Sequence, residues 1–312
     1  MIVVTGGAGF IGSNLVHGLN ARGQDRILIV DNLTRAAKHL NLSGLRFWDY
    51  ADKDDFLALL PSLPIPEAIF HQGACSDTTG SDGRYMMRNN YTWSKSLLAY
   101  AMAHGVPFIY ASSAAVYGDG RAGFREHRQC EYPLNVYGYS KLAFDNYVRM
   151  LDIPDGQQVM GLRYFNVYGP QENHKARMAS VAWHLFGQLA DGGTAQIFEG
   201  SDGFVRDFIH VDDVVEVNLH FLQSPRSGIL NCGTGQERSF QDLARVCRSL
   251  VGRGEIEYIP FPQDLRGKYQ SFTRADLTEL RRAGYDKPFL TLEAGLARYA
   301  EVVTASGGYY RT

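Results

Sequence analysis

Tyr137 and Lys141 stand four residues apart in the run Tyr137-Gly138-Tyr139-Ser140-Lys141. On a helix this spacing puts both side chains on one face. An ammonium beside a phenol favours the phenolate. A free phenol titrates at about 10, too high for a base near neutrality, and a neighbouring cation brings it towards the range where acid/base catalysis is efficient. The chemistry to expect is proton transfer to or from an alcohol undergoing oxidation. The same spacing also arises by chance on solvated helix faces, so the pair takes its meaning from its surroundings. One neighbour is the run from Tyr110 to Gly118, which holds Ser112 and Ser113 at the expected end of a strand. Ser113, the further along, is the hydroxyl placed to bond a reacting alcohol and the carbonyl made from it.

Apolar β-branched runs at 2–5, 27–30, 45–48, 68–70, 108–111 and 159–163 predict strands, and segments 10–22, 52–60, 85–104 and 135–151 predict helices. Their alternation implies βαβ units and a parallel sheet. Gly6-Gly7-Ala8-Gly9-Phe10-Ile11-Gly12 lies between the first strand and first helix, the context a dinucleotide fingerprint requires. Gly6 permits the turn, Gly9 admits a pyrophosphate close to backbone N–H groups, Gly12 lets helix and strand approach, and the helix amino end adds positive potential. Asp31, at the end of the second strand, suits the free ribose hydroxyls of NAD and repels the 2′-phosphate of NADP. Arg35, Lys38 and Lys53 could neutralise that phosphate, and the residues alone leave the choice open. The fold class is α/β, a Rossmann-type doubly wound parallel sheet with a smaller α/β substrate-binding domain. Beyond Gly169-Pro170 the rhythm loosens, with a helix expected over 178–190 and a strand over 195–198. Asp207-Phe-Ile-His-Val-Asp-Asp213 then leads a helix back to the first lobe. The expected division is 1–166 and 206–234 for the dinucleotide, 167–205 and 235–312 for the substrate.

With 31 basic and 33 acidic residues among 312, net charge is −2. That balance gives no electrostatic case for nucleic acid or an anionic membrane as partner. No apolar run reaches bilayer-spanning length and Met1 leads directly into a strand, so a cytoplasmic protein is expected. Cys75, Cys130, Cys232 and Cys247 lack metal-ligand spacing and read as reduced, partly buried thiols.

The glycine-rich turn, Ser112-Ser113-Ala-Ala-Val-Tyr-Gly118, Tyr137-x-x-x-Lys141, Arg163-Tyr-Phe-Asn-Val-Tyr-Gly-Pro170 and Arg206-Asp-Phe-Ile-His-Val-Asp-Asp213 occur in one order. Together they resemble the extended short-chain dehydrogenase/reductase superfamily over nearly the whole chain. More specific segments are His71-Gln-Gly-Ala-Cys75-Ser-Asp-Thr78-Thr79, Tyr85-Met-Met-Arg-Asn89-Asn90-Tyr91, Asn173-His-Lys175-Ala-Arg-Met-Ala-Ser180, Phe198-Glu-Gly-Ser201 and Tyr258-Ile-Pro-Phe-Pro262. These are similar to the ADP-glyceromanno-heptose 6-epimerase family, which inverts carbon 6 of an ADP-linked heptose on the route to the lipopolysaccharide inner core.

The resemblance implies NADP in preference to NAD, an ADP-heptose substrate and a homo-oligomer, a pentamer among the candidates. It places Phe10, Ile11, Asp31, Asn32, Lys38, Lys53, Gln72, Gly73, Ala74, Cys75, Ser76, Asn89, Lys141, Val167 and Lys175 with the glycines at the cofactor. It places Asn166, Arg177, His184, Phe198, Glu199, Gly200, Ser201, Arg206 and Tyr269 with Ser113 at the substrate. It also makes Lys175 a second acid/base residue facing Tyr137 across the sugar. Asn166 and Arg206 have the chemistry to bind phosphate, an amide donor and a guanidinium fork, and Arg206 could instead pair with Asp207. Arg177 stands where the family has a small serine and Gln72 where it has a glutamate. A 4,6-dehydratase needs acids after the serine run, where Ala114 and Ala115 stand. A nucleotide-sugar 4-epimerase and a non-catalytic dinucleotide-binding regulator are the alternatives.

Overall fold

The computed structural model describes residues 1–190, 192–262 and 270–311. In chain order the elements are β1 (Ile2–Thr5), α1 (Phe10–Asn20), β2 (Ile27–Asp31), α2 (His39–Leu42), β3 (Asp49–Asp52), α3 (Lys53–Leu59), β4 (Ala68–His71), α4 (Gly83–Met87), α5 (Trp93–Ala103), β5 (Phe108–Ser113), α6 (Val136–Arg149) and β6 (Val159–Tyr164). There follow β7 (Asn166–Tyr168), α7 (Val181–Leu189), β8 (Thr194–Phe198), β9 (Val205–His210), α8 (Val211–Gln223), β10 (Gly228–Cys232), β11 (Glu237–Ser239), α9 (Phe240–Val251), β12 (Glu255–Ile259), α10 (Thr278–Arg282) and α11 (Leu292–Ser306).

A seven-stranded sheet runs in the order β10-β6-β5-β4-β1-β2-β3, with every pairing parallel. Strands covered on both faces need apolar side chains in both directions. Ile2, Val4, Ile27, Ile29, Ile109 and Ala111 accordingly enter the core shared with α1 and α8. Val3, Leu28, Val30, Phe108 and Tyr110 enter the core shared with α3, α5 and α6. Chain order reverses between β1 and β4, which opens a crevice at the carboxyl ends of the strands. Beside the main sheet stand a three-stranded sheet, β11-β9-β7, and a two-stranded one, β12-β8. A separate core of Leu185, Phe186, Leu189, Ile197, Leu243 and Leu296 joins α7, β8, α9 and α11.

Two expected elements differ. The strand expected over 45–48 lies later, as β3, where Asp49 to Asp52 pair with Leu28 to Asp31. Leu45 and Phe47 pack on the core from the loop instead. The edge position explains the acidic strand, since one side of β3 faces water. The continuous helix expected over 85–104 is broken by a π turn at Arg88–Thr92, between α4 and α5.

Candidate active site

The first turn of α1 begins at Gly9, which offers no capping side chain. The N–H groups of a helix start left in that way form an anion site. Gly6 has φ +67°, and a Cβ on Gly12 would lie 2.1 Å from the Gly6 carbonyl oxygen, so both positions exclude larger residues. Asp31 is buried at the end of β2. Its Oδ2 accepts from Ala8 N at 2.9 Å, while Oδ1 accepts from Asn32 N and Lys38 Nζ, each at 2.7 Å. Lys53 pairs with Asp54 at 2.5 Å instead. Arg35 reaches the carbonyl of His174 at 3.4 Å.

From the end of β4, Gly73 N donates to Thr5 Oγ1 at 3.2 Å. The Gln72 side chain joins Tyr164 and Asn218. Cys75 is pinned at both backbone groups by Asn90, which accepts from Cys75 N at 2.7 Å and donates to Cys75 O at 2.9 Å. Asn90 also donates to Ser140 Oγ at 3.0 Å, so one buried amide joins the loop after β4 to α6. The π turn directs Asn90 inward, whereas the expected Asn89 donates to Tyr85 O on its own helix. The Asn-Asn pair was the available signal. Ala74 and Ser76 are exposed on the same loop, Ile11 packs on the core at the start of α1, and Val167 pairs with Ile209 in the small sheet.

Tyr137 and Lys141 occupy the first two turns of α6, which Asn135 caps by accepting from Gly138 N. Tyr137 stands beside Ser113 at the end of β5. Ser113 Oγ accepts from Ala115 N at 3.1 Å. Lys141 is buried and donates from Nζ to Ala111 O at 2.8 Å. Burial lowers Lys141 to about 8, and Asp145 and Cys75 oppose the fall. For Tyr137 the direction corrects the expectation of a phenol pulled down by its neighbour. Burial raises it above the ordinary value, with Ser113 pulling back and Cys75 adding to the rise. A cation committed to a carbonyl on β5 leaves burial as the dominant influence.

Lys175 stands at the glycine-rich turn, its Nζ 4.9 Å from the centre of the Phe10 ring and 3.8 Å from Glu172 Oε2. Burial lowers its pKa and Glu172 opposes the shift. Gln171 (φ 75°) and Ala176 (φ 49°), the left-handed non-glycine residues among those described, bracket this lysine. Glu172, which the sequence did not single out, is fully buried; it accepts from Ser180 N and Oγ at 2.6 Å and from Tyr299 OH at 3.2 Å. Arg177 extends to Thr79 Oγ1 at 2.9 Å, joining this segment to the loop after β4.

On the substrate side, Asn166 lies exposed on β7 and accepts from Thr273 Oγ1 at 3.2 Å. His184 lies on α7, edge-on to Trp183. Phe198 ends β8 against Phe261, followed by Glu199 and by Gly200 with φ 76°. Ser201 is buried, its hydroxyl without a hydrogen-bond partner among the described residues. Arg206 is buried on β9 and donates to the carbonyls of Val205 and Gln270. The Asp207 carboxylate accepts from Thr234, Gly235 and Ala275. Tyr269 lies outside the described residues. The four cysteines are free thiols, Cys75 partly exposed and the others buried.

A family model described as the NAD dependent epimerase/dehydratase family matches residues 2–233. The ADP-L-glycero-D-manno-heptose-6-epimerase of Brachyspira hyodysenteriae is 56% identical over 316 residues, covering 99% of each chain. The crystal structure of the Helicobacter pylori ADP-L-glycero-D-manno-heptose-6-epimerase is similar at a TM-score of 0.84 and 30% identity, over 97% of this chain and 96% of that one. A Thermotoga maritima UDP-glucose 4-epimerase, solved with UDP-glucose, has a TM-score of 0.83 and 29% identity over 97% of this chain and 98% of that one.

Proposed function

This chain belongs to the NAD dependent epimerase/dehydratase family, and from that premise we propose that it inverts carbon 6 of ADP-D-glycero-D-manno-heptose by transient oxidation to a ketone and re-reduction. The observation that carries the redox chemistry is the placing of Tyr137 beside Ser113 at the end of β5, with Lys141 one turn further along α6 and held to Ala111 O. The sugar follows from the full-length identity to a relative of that name.

The glycine cradle, closed to any Cβ at Gly12, fits a dinucleotide. A bound nicotinamide would take the carbon 6 hydride and return it. The remaining work belongs to the chain. Ser113 holds the reacting oxygen. Tyr137, raised by burial, rests as a neutral phenol with a proton to give, and Lys175 is the second acid/base residue, its pKa lowered by burial with Glu172 opposing. Two acid/base residues answer a geometric need, since the oxygen changes sides when the planar ketone turns. Lys141 would contact the ribose of a bound nicotinamide. Gly6, Gly9 and the α1 amino end would hold the pyrophosphate, and Asn166 and Arg206 would hold the sugar diphosphate. Our cofactor assignment is NADP: the Lys38–Asp31 pair offsets the carboxylate charge that would repel a 2′-phosphate. Residues 1–166 and 206–234 form the dinucleotide side in this reading, and 167–205 and 235–312 the sugar side. A cytoplasmic homo-oligomer completes it, and sedimentation gives the assembly size. Among the described residues no helix is long and apolar enough to cross a membrane.

The deciding experiment is incubation with ADP-heptose followed by NMR of carbon 6. Inversion is expected, and none from cofactor-loaded protein rejects the assignment. Inversion at carbon 4 of a UDP-sugar instead would favour the activity named for the Thermotoga maritima structure. Cofactor released by denaturation and weighed by mass spectrometry should be NADP, and recovery of NAD alone refutes that choice.

A further inference from the structure

Asp145 lies one turn beyond Lys141 on α6, and the mechanism above does not use it. It is fully buried. Its Oδ1 accepts from Tyr110 OH at 3.0 Å, and its Oδ2 accepts from Ser112 Oγ and Arg163 Nε, both at 2.9 Å. Tyr110 and Ser112 flank Ala111, whose carbonyl holds the Lys141 ammonium. The next strand residue, Ser113, stands beside Tyr137. Two successive turns of α6 are therefore tied to three consecutive residues of β5, Lys141 to Ala111 and Asp145 to both Ser112 and Tyr110, and the turn before them sets Tyr137 beside Ser113.

Stability alone is a weak reason for this arrangement. A buried ion pair is often no better than apolar residues of the same volume, because desolvation offsets the attraction. Arg163 is fully buried with Asp145, and its Nη2 is also 2.6 Å from Glu131 Oε1, which pairs with Arg149. The guanidinium charge is thus divided between two carboxylates. The groups facing Lys141 are Asp145 and Tyr137 from its own helix, Cys75 from the loop after β4, and His71 from β4. His71 is lowered to about 3 by burial and by Lys141, so it is neutral. Of these groups Asp145 is the main one opposing the loss of the lysine proton.

We propose that Asp145 is a positioning residue of the reaction: it fixes Tyr137 and Lys141 in register on β5 and sets a buried negative charge against the Lys141 ammonium. The proposal rests on the reading above only in taking Lys141 as the working cation of the site.

The test is NMR titration of full-length protein carrying ¹³C-labelled lysine, with the Lys141 signal identified through Lys141→Arg. Asp145→Asn should lower the Lys141 midpoint by about one unit or more, the scale of losing one close opposite charge. Glu131→Gln, which breaks the Arg163 network on its far side, should lower Tm and leave that midpoint in place. A midpoint unmoved by Asp145→Asn overturns the electrostatic half. Should that variant not fold, Asp145→Asn/Arg163→Gln is compared with Arg163→Gln alone, so that the difference between their two midpoints isolates the Asp145 charge, and no difference overturns the electrostatic half. Tyr110→Phe/Ser112→Ala keeps the carboxylate and cuts both ties. It should lower kcat by about tenfold or more with KM little changed, the scale of a small misplacement. Unchanged kcat overturns the register half. The titration needs no substrate, so a wrong sugar would leave it standing while the ADP-heptose assay failed.

Discussion

The phenol of Tyr137, raised by burial, stays protonated beside Ser113. Tyr137→Phe should cut turnover by roughly a hundredfold or more, the usual scale of lost acid/base catalysis, with bound cofactor retained. Steady-state rates and cofactor content of the purified variant check both parts. Lys141 keeps its charge below about 8 and loses it as pH rises through that value. The profile of kcat/KM, which reports the free enzyme, should therefore fall on its alkaline side near there. Tyr137, Lys141 and Ser113 were legible from residue type and spacing. The sign of the tyrosine's shift was not, because it depends on Lys141 finding the Ala111 carbonyl, a contact between segments distant in the chain.

Elements differ in how much of themselves they announce. The parallel strands of the main sheet read as apolar runs because burial on both faces selects them, whereas β3, an edge strand bounded by Asp49 and Asp52, gave no such signal. The π turn was equally silent, since Arg88 to Thr92 have ordinary helical composition and the insertion is held by what Asn90 bonds across the interior. Asn90→Ala should cost about 2–3 kcal/mol by leaving buried partners unpaired. It should also weaken cofactor retention through the freed Cys75 loop, measured as Tm and as bound dinucleotide. At the start of α8, Asp213 is raised to about 6, first by burial, despite accepting from Leu290 N. Ionising it in the folded state therefore opposes folding, and the cost grows as pH rises from its unfolded value through 6. Asp213→Asn keeps the acceptor and should stabilise the protein by about 2 kcal/mol at pH 8, with the gain fading below pH 4. Denaturant melts at the two pH values decide it.

Across the whole molecule, the strand order of the main sheet follows from chirality and local connection. The smaller sheets assemble segments far apart in the chain, such as β7 with β9 and β8 with β12, which no local pattern encodes. The last described residues close the structure on the site. Gln171 N donates to Gly308 O and Asn173 Nδ2 to Gly307 O, each at 2.8 Å. Tyr310 donates to Asn14 of α1 at 3.0 Å and stacks on His17. Asn173→Ala should raise amide hydrogen exchange across 171–176 and lower kcat through Lys175, with cofactor content unchanged; exchange mass spectrometry tests this, and equal exchange in the two proteins rejects it.

The left-handed backbone at Gln171 and Ala176 costs on the order of 1–3 kcal/mol at each residue, and the contacts around Glu172 and the chain's last turns hold it in place. That cost is met once, when the chain folds, and not at each turnover. The sugar nucleotide thus meets a lysine-bearing segment already shaped. Calorimetry of its association should lack the large unfavourable entropy of a loop that orders around its ligand.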